Sequence, residues 1–163
     1  MKIHHIDQGS PEWHELRANF FTASEAPAMM GVSKHQSRDQ LLKEKMSRVP
    51  TKSVPAFKQK LFDKGHRAEE KARRVLEDKV GYTLSPKVIS KGNLLASLDG
   101  MSEDGKTIFE HKLLNKELLV QVRNGKLGPH YYWQLEQQLF VSGAEKVIFV
   151  CSLTVKLKAL PIY

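Results

Sequence analysis

The sequence predicts an α/β (α+β) domain, a central mixed β-sheet flanked by helices. Three observations predict it. The first 80 residues read mainly as helices, the longest with apolar residues at helical spacing. From residue 82 the pattern changes to short β-rich runs separated by glycine turns. One more helix and two apolar strands then close the chain, and helices on both sides of a β-meander need a sheet to cover. At 163 residues and 40% hydrophobic, the chain has the size and the core material of one domain, 1–163.

Residues 10–19, SPEWHELRAN, read as a helix, with Ser10 as N-cap, Pro11 at the first helical position and acids in the first turn. Ser24 is placed to cap a second short helix that stops at Gly31. Residues 36–48 read as a third helix, with Leu41, Leu42 and Met46 as its apolar positions, and Pro50 and Pro55 break the pattern. A long helix follows from Pro55 to about Lys79, with Phe57, Leu61, Phe62, Ala68, Ala72, Val75 and Leu76 on one side. Gly65 interrupts it as a candidate kink, and Gly81 ends it. Residues 82–90, 94–99 and 106–112 read as strands, with turns at Lys91-Gly92-Asn93 and Glu103-Asp104-Gly105. Residues 116–124 form a short helix, 129–142 a longer one ending at Gly143, and 146–153 and 155–162 the last strands.

The charge is +8 overall and uneven. Residues 34–91 hold 16 Lys and Arg against 7 Asp and Glu. Such a local surplus suits a polyanion such as nucleic acid, although a solvated helical face is the ordinary use of lysines. No window approaches the run of ~18 apolar residues that a membrane span needs, and the start MKIHHIDQGS has no signal-peptide core. The single cysteine, Cys151, lies in an apolar strand; a reducing cytoplasm fits, and a catalytic thiol does not.

The chemistry concentrates in residues 99–112, DGMSEDGKTIFEHK. Asp99 ends one expected strand, and Glu110, His111 and Lys112 lie in the next. Side chains two apart on a strand share a face, so Glu110 and Lys112 project together and His111 points the other way. A hairpin of this length brings Asp99 beside Glu110. Two adjacent carboxylates repel unless a cation sits between them, and hard oxygen ligands suit Mg²⁺, with Mn²⁺ as substitute. Lys112 is then placed to orient a water or to balance charge on a phosphate. His111 contributes its backbone carbonyl to such a site, not its imidazole. The plainer reading of Glu110 and Lys112 is a same-face ion pair worth under ~1 kcal/mol.

An acid on one strand followed by E-x-K on the next resembles the PD-(D/E)XK nuclease superfamily, and the whole chain resembles its branch of phage lambda exonuclease and YqaJ-like phage recombinase nucleases. Four blocks carry the resemblance. The first is the W-x3-R-x4-T-A-S pattern, Trp13, Arg17, Thr22, Ala23 and Ser24; the second is G-x3-E-x3-R, Gly65, Glu69 and Arg73. The third is SLDG with FEHK, and the fourth is Y-x2-Q, Tyr131 and Gln134. Leu98 stands where the superfamily name has a proline. The resemblance implies a restriction-endonuclease-like core. It implies Asp99, Glu110 and the His111 carbonyl as metal ligands, with Glu69 helping to hold one or two ions and Lys112 activating water. Arg17, Ser24 and Thr22 take a DNA 5′ phosphate, and Tyr131, Gln134 and Trp13 support the site. Read from the residues alone, Ser24 is equally an N-cap, Glu69 pairs with Arg73 at i+4, and Tyr132 and Trp133 are core aromatics.

The implied activity is a Mg²⁺-dependent 5′-to-3′ exonuclease on double-stranded DNA ends. It leaves 3′ strands for a single-strand annealing protein, in the cytoplasm of a bacterial host carrying a phage or prophage. The implied assembly is a homotrimeric ring. Family members run on into further C-terminal helices, so a chain ending at Tyr163 is expected to be minimal or truncated. Two alternatives stand beside this reading: a site- or structure-specific endonuclease on the same fold, and a DNA-binding module without activity.

Overall fold

The computed structural model describes residues 1–47 and 56–153, with residues 56–64 described by their backbone alone. Its elements are β1 (Lys2–His4), α1 (Pro11–Ala18), β2 (Phe21–Thr22), a 3-10 turn (Ala23–Glu25), α2 (Ala26–Met29), α3 (Arg38–Ser47), α4 (Ala56–Val80), β3 (Leu84–Lys91), β4 (Leu94–Ser102), β5 (Thr107–Leu113), α5 (Lys116–Arg123), α6 (Pro129–Ser142) and β6 (Lys146–Ser152). The strands form one mixed sheet in the order β1-β3-β4-β5-β6, with β2 beside β4. The expected strand at 155–162, the prolines at 50 and 55, and the side chains of Phe57, Leu61 and Phe62 lie outside the described residues.

Two compact units divide the chain. One holds β1 through α3, the stretch Lys87–Leu98, and Leu127–Gly143 with α6. Here β1 runs antiparallel to β3, with Ile3 opposite Ile89, and β2 runs parallel to β4, with Thr22 opposite Leu95. Helix α1 starts as its sequence dictates: the Ser10 hydroxyl accepts from the Trp13 N–H, and Pro11 occupies the first turn. Helix α6 packs on the 3-10 turn and α2. The Gln137 amide of α6 donates to the Phe21 and Leu95 carbonyls, satisfying backbone that a short parallel pair leaves open. Gly143 closes α6 in the left-handed region at φ 72°.

The other unit holds α4, Asp99–Lys126 and β6. Here β4 and β5 form the hairpin, with Gly100 opposite Phe109, and β5 runs parallel to β6 from Thr107↔Lys146 to Leu113↔Ser152. Helix α4 continues unbroken through Gly65 and packs on β5 and β6. Ala72 and Leu76 meet Leu84, Phe109 and Ile148 in a buried cluster. A Cβ at Gly100 would stand 3.0 Å from the Leu84 Cβ and 3.4 Å from the Phe109 Cβ. A side chain after Asp99 would therefore need Leu84 to shift by a few tenths of an ångström.

Five sequence expectations need correction. Tyr132 of α6, expected as a core aromatic, is exposed. Strand β4 does not stop at Asp99 but runs on to Ser102, because Gly100 fits the crowded sheet and makes no turn. Strands β1 and β2 were not expected. Of the apolar positions of α3, Leu41 is buried, whereas Leu42 and Met46 are exposed. Ser24 is not a helix N-cap: it lies inside the 3-10 turn, which Thr22 and Glu25 cap with a reciprocal capping box.

Candidate functional site

The acidic site is built on the β4–β5 hairpin. Carrying the Gly100↔Phe109 register on by one residue sets Asp99 opposite Glu110, a cross-strand pair on one face. Glu110 is 2% exposed, and the Lys112 ammonium donates to its Oε1. The Asp99 Oδ2 accepts the His111 N–H at 2.8 Å. From α4, Arg73 Nη1 donates to the Asp99 carbonyl at 2.8 Å and stands 3.7 Å from Glu69 Oε1. The helix thus fixes the strand backbone beside the acids and brings its own glutamate to them.

The charges of Asp99, Glu110 and Glu69 act on one another. Burial pushes the Asp99 carboxyl well above the usual range; the Glu110 and Glu69 charges add to this, while Lys112 and the His111 N–H oppose it. Glu69 is raised too, chiefly by burial and in part by Glu110, against His66, Arg73 and Lys112. Glu69 pairs with Arg73 at i+4 and also feels the Glu110 charge.

His111 turns away from this face. Its ring Nε2 lies 2.8 Å from the Ser152 Oγ of β6. Burial, with the Lys112 charge second, lowers its pKa to about 4. A depressed histidine stabilises the fold in full above its ordinary 6.5, and that contribution is lost as pH falls towards about 4, because only the unfolded chain takes the proton readily in that window. We expect the urea midpoint, measured in EDTA, to fall more steeply between pH 6.5 and about 4 for wild type than for His111→Gln. Equal slopes would remove His111 as the source. Cys151 is buried, and burial lifts its thiol to about 11 despite Lys112, which leaves it unreactive.

Among the described residues no three His, Cys, Asp or Glu side chains come together as a metal cage. Asp99 and Glu110, facing each other across the hairpin, are the residues placed to hold a hard divalent cation through oxygen ligands.

A second group lies in the unit with α1. The Arg17 guanidinium stacks 4.4 Å from the centre of the Trp13 ring, and its Nη2 donates to the Ser24 Oγ at 3.2 Å. The Ser24 Oγ is 3.1 Å from the Thr22 Oγ1. The Trp13 indole N–H donates to the Ser97 Oγ at 2.9 Å, which fixes the plate on which Arg17 rests. The expected Trp13, Arg17, Thr22 and Ser24 are therefore brought together. An arginine fork beside two hydroxyls is suited to a phosphate. Tyr131 and Gln134 lie on α6, Gln134 buried and Tyr131 half-buried with its ring edge-on to His130.

Sequence reasoning missed Arg73, Ser97, Glu25 and Lys45. Glu25 had a readable signal, since Thr22-Ala23-Ser24-Glu25 is a capping-box pattern. Arg73 was read only as the i+4 partner of Glu69, and its hold on the Asp99 carbonyl was not foreseen. Ser97 and Lys45 carried no local signal.

The YqaJ-like viral recombinase domain family matches residues 12–145. The alkaline exonuclease LHK-Exo from Laribacter hongkongensis shares the fold, with a TM-score of 0.74 and 23% identity over 94% of this chain and 79% of that one. LHK-Exo in complex with dAMP aligns with a TM-score of 0.68 and 24% identity, over 87% of this chain and 73% of that one. No curated protein matches the chain. The mixed α/β fold expected from the sequence is the fold observed.

Proposed function

The chain belongs to the family of YqaJ-like viral recombinase domains, and from that premise we propose that it is a Mg²⁺-dependent deoxyribonuclease that digests one strand of duplex DNA from the 5′ end. The observation that carries the reading is the hairpin itself: Asp99 opposite Glu110, with Lys112 on the same face and Asp99 held above its ordinary pKa by burial and by the neighbouring acids. Perturbed, mutually repelling carboxylates are costly to keep and mark functional sites. Asp99, Glu110 and the His111 carbonyl would hold the ion, with Glu69 beside them. Bound there, such an ion would polarise a phosphoryl oxygen and lower the pKa of a water. Lys112 orients that water and balances charge on the phosphate. Arg73 holds the Asp99 backbone. Arg17, Ser24 and Thr22, resting on Trp13, take the terminal 5′ phosphate, and Tyr131 and Gln134 support substrate binding. The basic segment 34–91 adds salt-sensitive phosphate contacts.

The dAMP complex of LHK-Exo supports a nucleotide ligand for this fold. The same reading includes a trimeric ring and delivery of the 3′ strand to a single-strand annealing protein in a bacterial cytoplasm. Among the described residues no helix is long and apolar enough to cross a membrane.

The test uses linear duplex DNA labelled separately at its 5′ and 3′ ends, and closed circular duplex, each in Mg²⁺ and in EDTA. We expect 5′ label to be released only with Mg²⁺, 3′ strands to accumulate, and the circle to survive. Cleavage of the circle would establish an endonuclease on this fold. Equal binding in both buffers with no cleavage would establish a binding module.

A further inference from the structure

Arg17 has an unusual electrical situation. Its guanidinium is half-buried, yet among the described residues it makes no ion pair: its partners are the Ser24 hydroxyl and the Trp13 ring. A carboxylate does lie near enough to be felt, that of Glu25. Glu25 is committed elsewhere. Its Oε2 accepts the Thr22 N–H at 2.9 Å and pairs with the Lys45 Nζ at 2.9 Å. The Lys45 ammonium also donates to the Arg17 carbonyl at 3.0 Å. Lys45 and Glu25 are only 13% and 20% exposed at their side chains, so water screens this pair weakly. One lysine from α3 therefore binds both the end of α1, which carries Arg17, and the turn that carries Ser24 and Thr22.

We propose that Lys45 is a positioning residue that sets specificity for a 5′-phosphorylated end by occupying Glu25, so that the Arg17 guanidinium stays available for the phosphate. The inference rests on the reading of Arg17 and Ser24 as the phosphate site. The competition is simple. A carboxylate released beside an arginine forms a charge-assisted pair of the same kind as the arginine–phosphate pair, and the two exclude each other. Deleting the lysine charge lets Glu25 turn to Arg17 and also leaves a negative charge facing the incoming phosphate. Deleting the charge of Glu25 as well removes the competitor. A purely structural role predicts otherwise, because the double variant would then be at least as impaired as the single one.

The experiment measures Kd, in EDTA, for two short duplexes that differ only in a 5′ phosphate or a 5′ hydroxyl. Wild type should prefer the phosphate by about tenfold or more, the value of a charge-assisted contact. Arg17→Ala should abolish the preference. Lys45→Met should lower it to about twofold or less, and Lys45→Met with Glu25→Gln should restore most of it. Lys45→Gln repeats the comparison with a side chain that keeps a donor for the Arg17 carbonyl, in case Lys45→Met does not fold. If Arg17→Ala leaves the preference intact, the phosphate reading itself fails. If Arg17→Ala abolishes it while the Lys45 variants keep it, or if the double variant gives no rescue, the assignment of Lys45 is overturned and the phosphate site stands.

Discussion

Asp99→Asn is expected to abolish strand cleavage and, in the same molecule, to raise thermal stability. Both effects come from one charge. In the folded chain Asp99 faces Glu110, with Glu69 near, and burial together with these acids holds its carboxyl above its ordinary range. The sign follows: at assay pH, above the usual 3.8, the unfolded chain carries the carboxylate freely and the folded chain resists it, so ionised Asp99 costs stability there. Asparagine keeps the oxygen that accepts the His111 N–H at 2.8 Å and drops the charge. The gain should be about 0.5–2 kcal/mol, the size of a typical stabilising substitution. The loss of activity should be about 10³-fold or more, since an amide is a poor ligand for a hard cation and stabilises no charge in the transition state. Melting curves in EDTA and end-label release in Mg²⁺ read the two effects separately. A variant that is inactive but clearly less stable than wild type would mean that Asp99 serves the fold and that its carboxylate is not strained.

What was legible in the sequence follows from how local its cause is. Helices α1 and α6 were readable because their ends are written in one or two residues: Ser10 with Pro11 begins the first, and Pro129 and Gly143 bound the second. The hairpin acids were readable because strand period and turn length place Asp99, Glu110 and Lys112 on one face by geometry alone. Strands β1 and β2 span three and two residues, too short to show a period, and their pairing with β3 and β4 is a tertiary event. The end of β4 was misplaced because Gly100 carries no strand signal of its own, whereas in the fold it lies in the strand against Leu84 and Phe109. Lys45 was illegible for a different reason. It lies on a helix whose polar and apolar residues follow no clear stripe, and its partners, Arg17 and Glu25, are 28 and 20 positions away. Nothing local separates it from the other lysines of the basic segment.

Lys112→Met should have the opposite effect on stability to Asp99→Asn while sharing its loss of activity. Glu110 is buried, and Lys112 is the cation bound to it on the same strand face. Removing one partner of a buried pair leaves the other charge in a place that water reaches poorly, here with Asp99 opposite and Glu69 near. The cost should be about 1–3 kcal/mol, below that of a fully buried pair because the lysine side chain is 31% exposed. Activity should fall about 10²–10³-fold, as expected when a preorganised positive group at a developing charge is removed. The proposed ion supplies the discriminating arm. With the ammonium gone, a divalent cation becomes the counter-charge for three acids, so Mg²⁺ should stabilise Lys112→Met more than it stabilises wild type. At a concentration of about 100 times its Kd the ion contributes about 2.7 kcal/mol, enough to offset the mutation. It should not restore cleavage, because a metal bound by the acids does not place a donor where the Lys112 ammonium stood. Recovery of melting temperature without recovery of rate is therefore the expected pair of results. If Mg²⁺ leaves the melting temperature of both proteins unchanged, the acids do not hold the ion. If it restores the rate as well, Lys112 acts only as a structural counter-charge to Glu110.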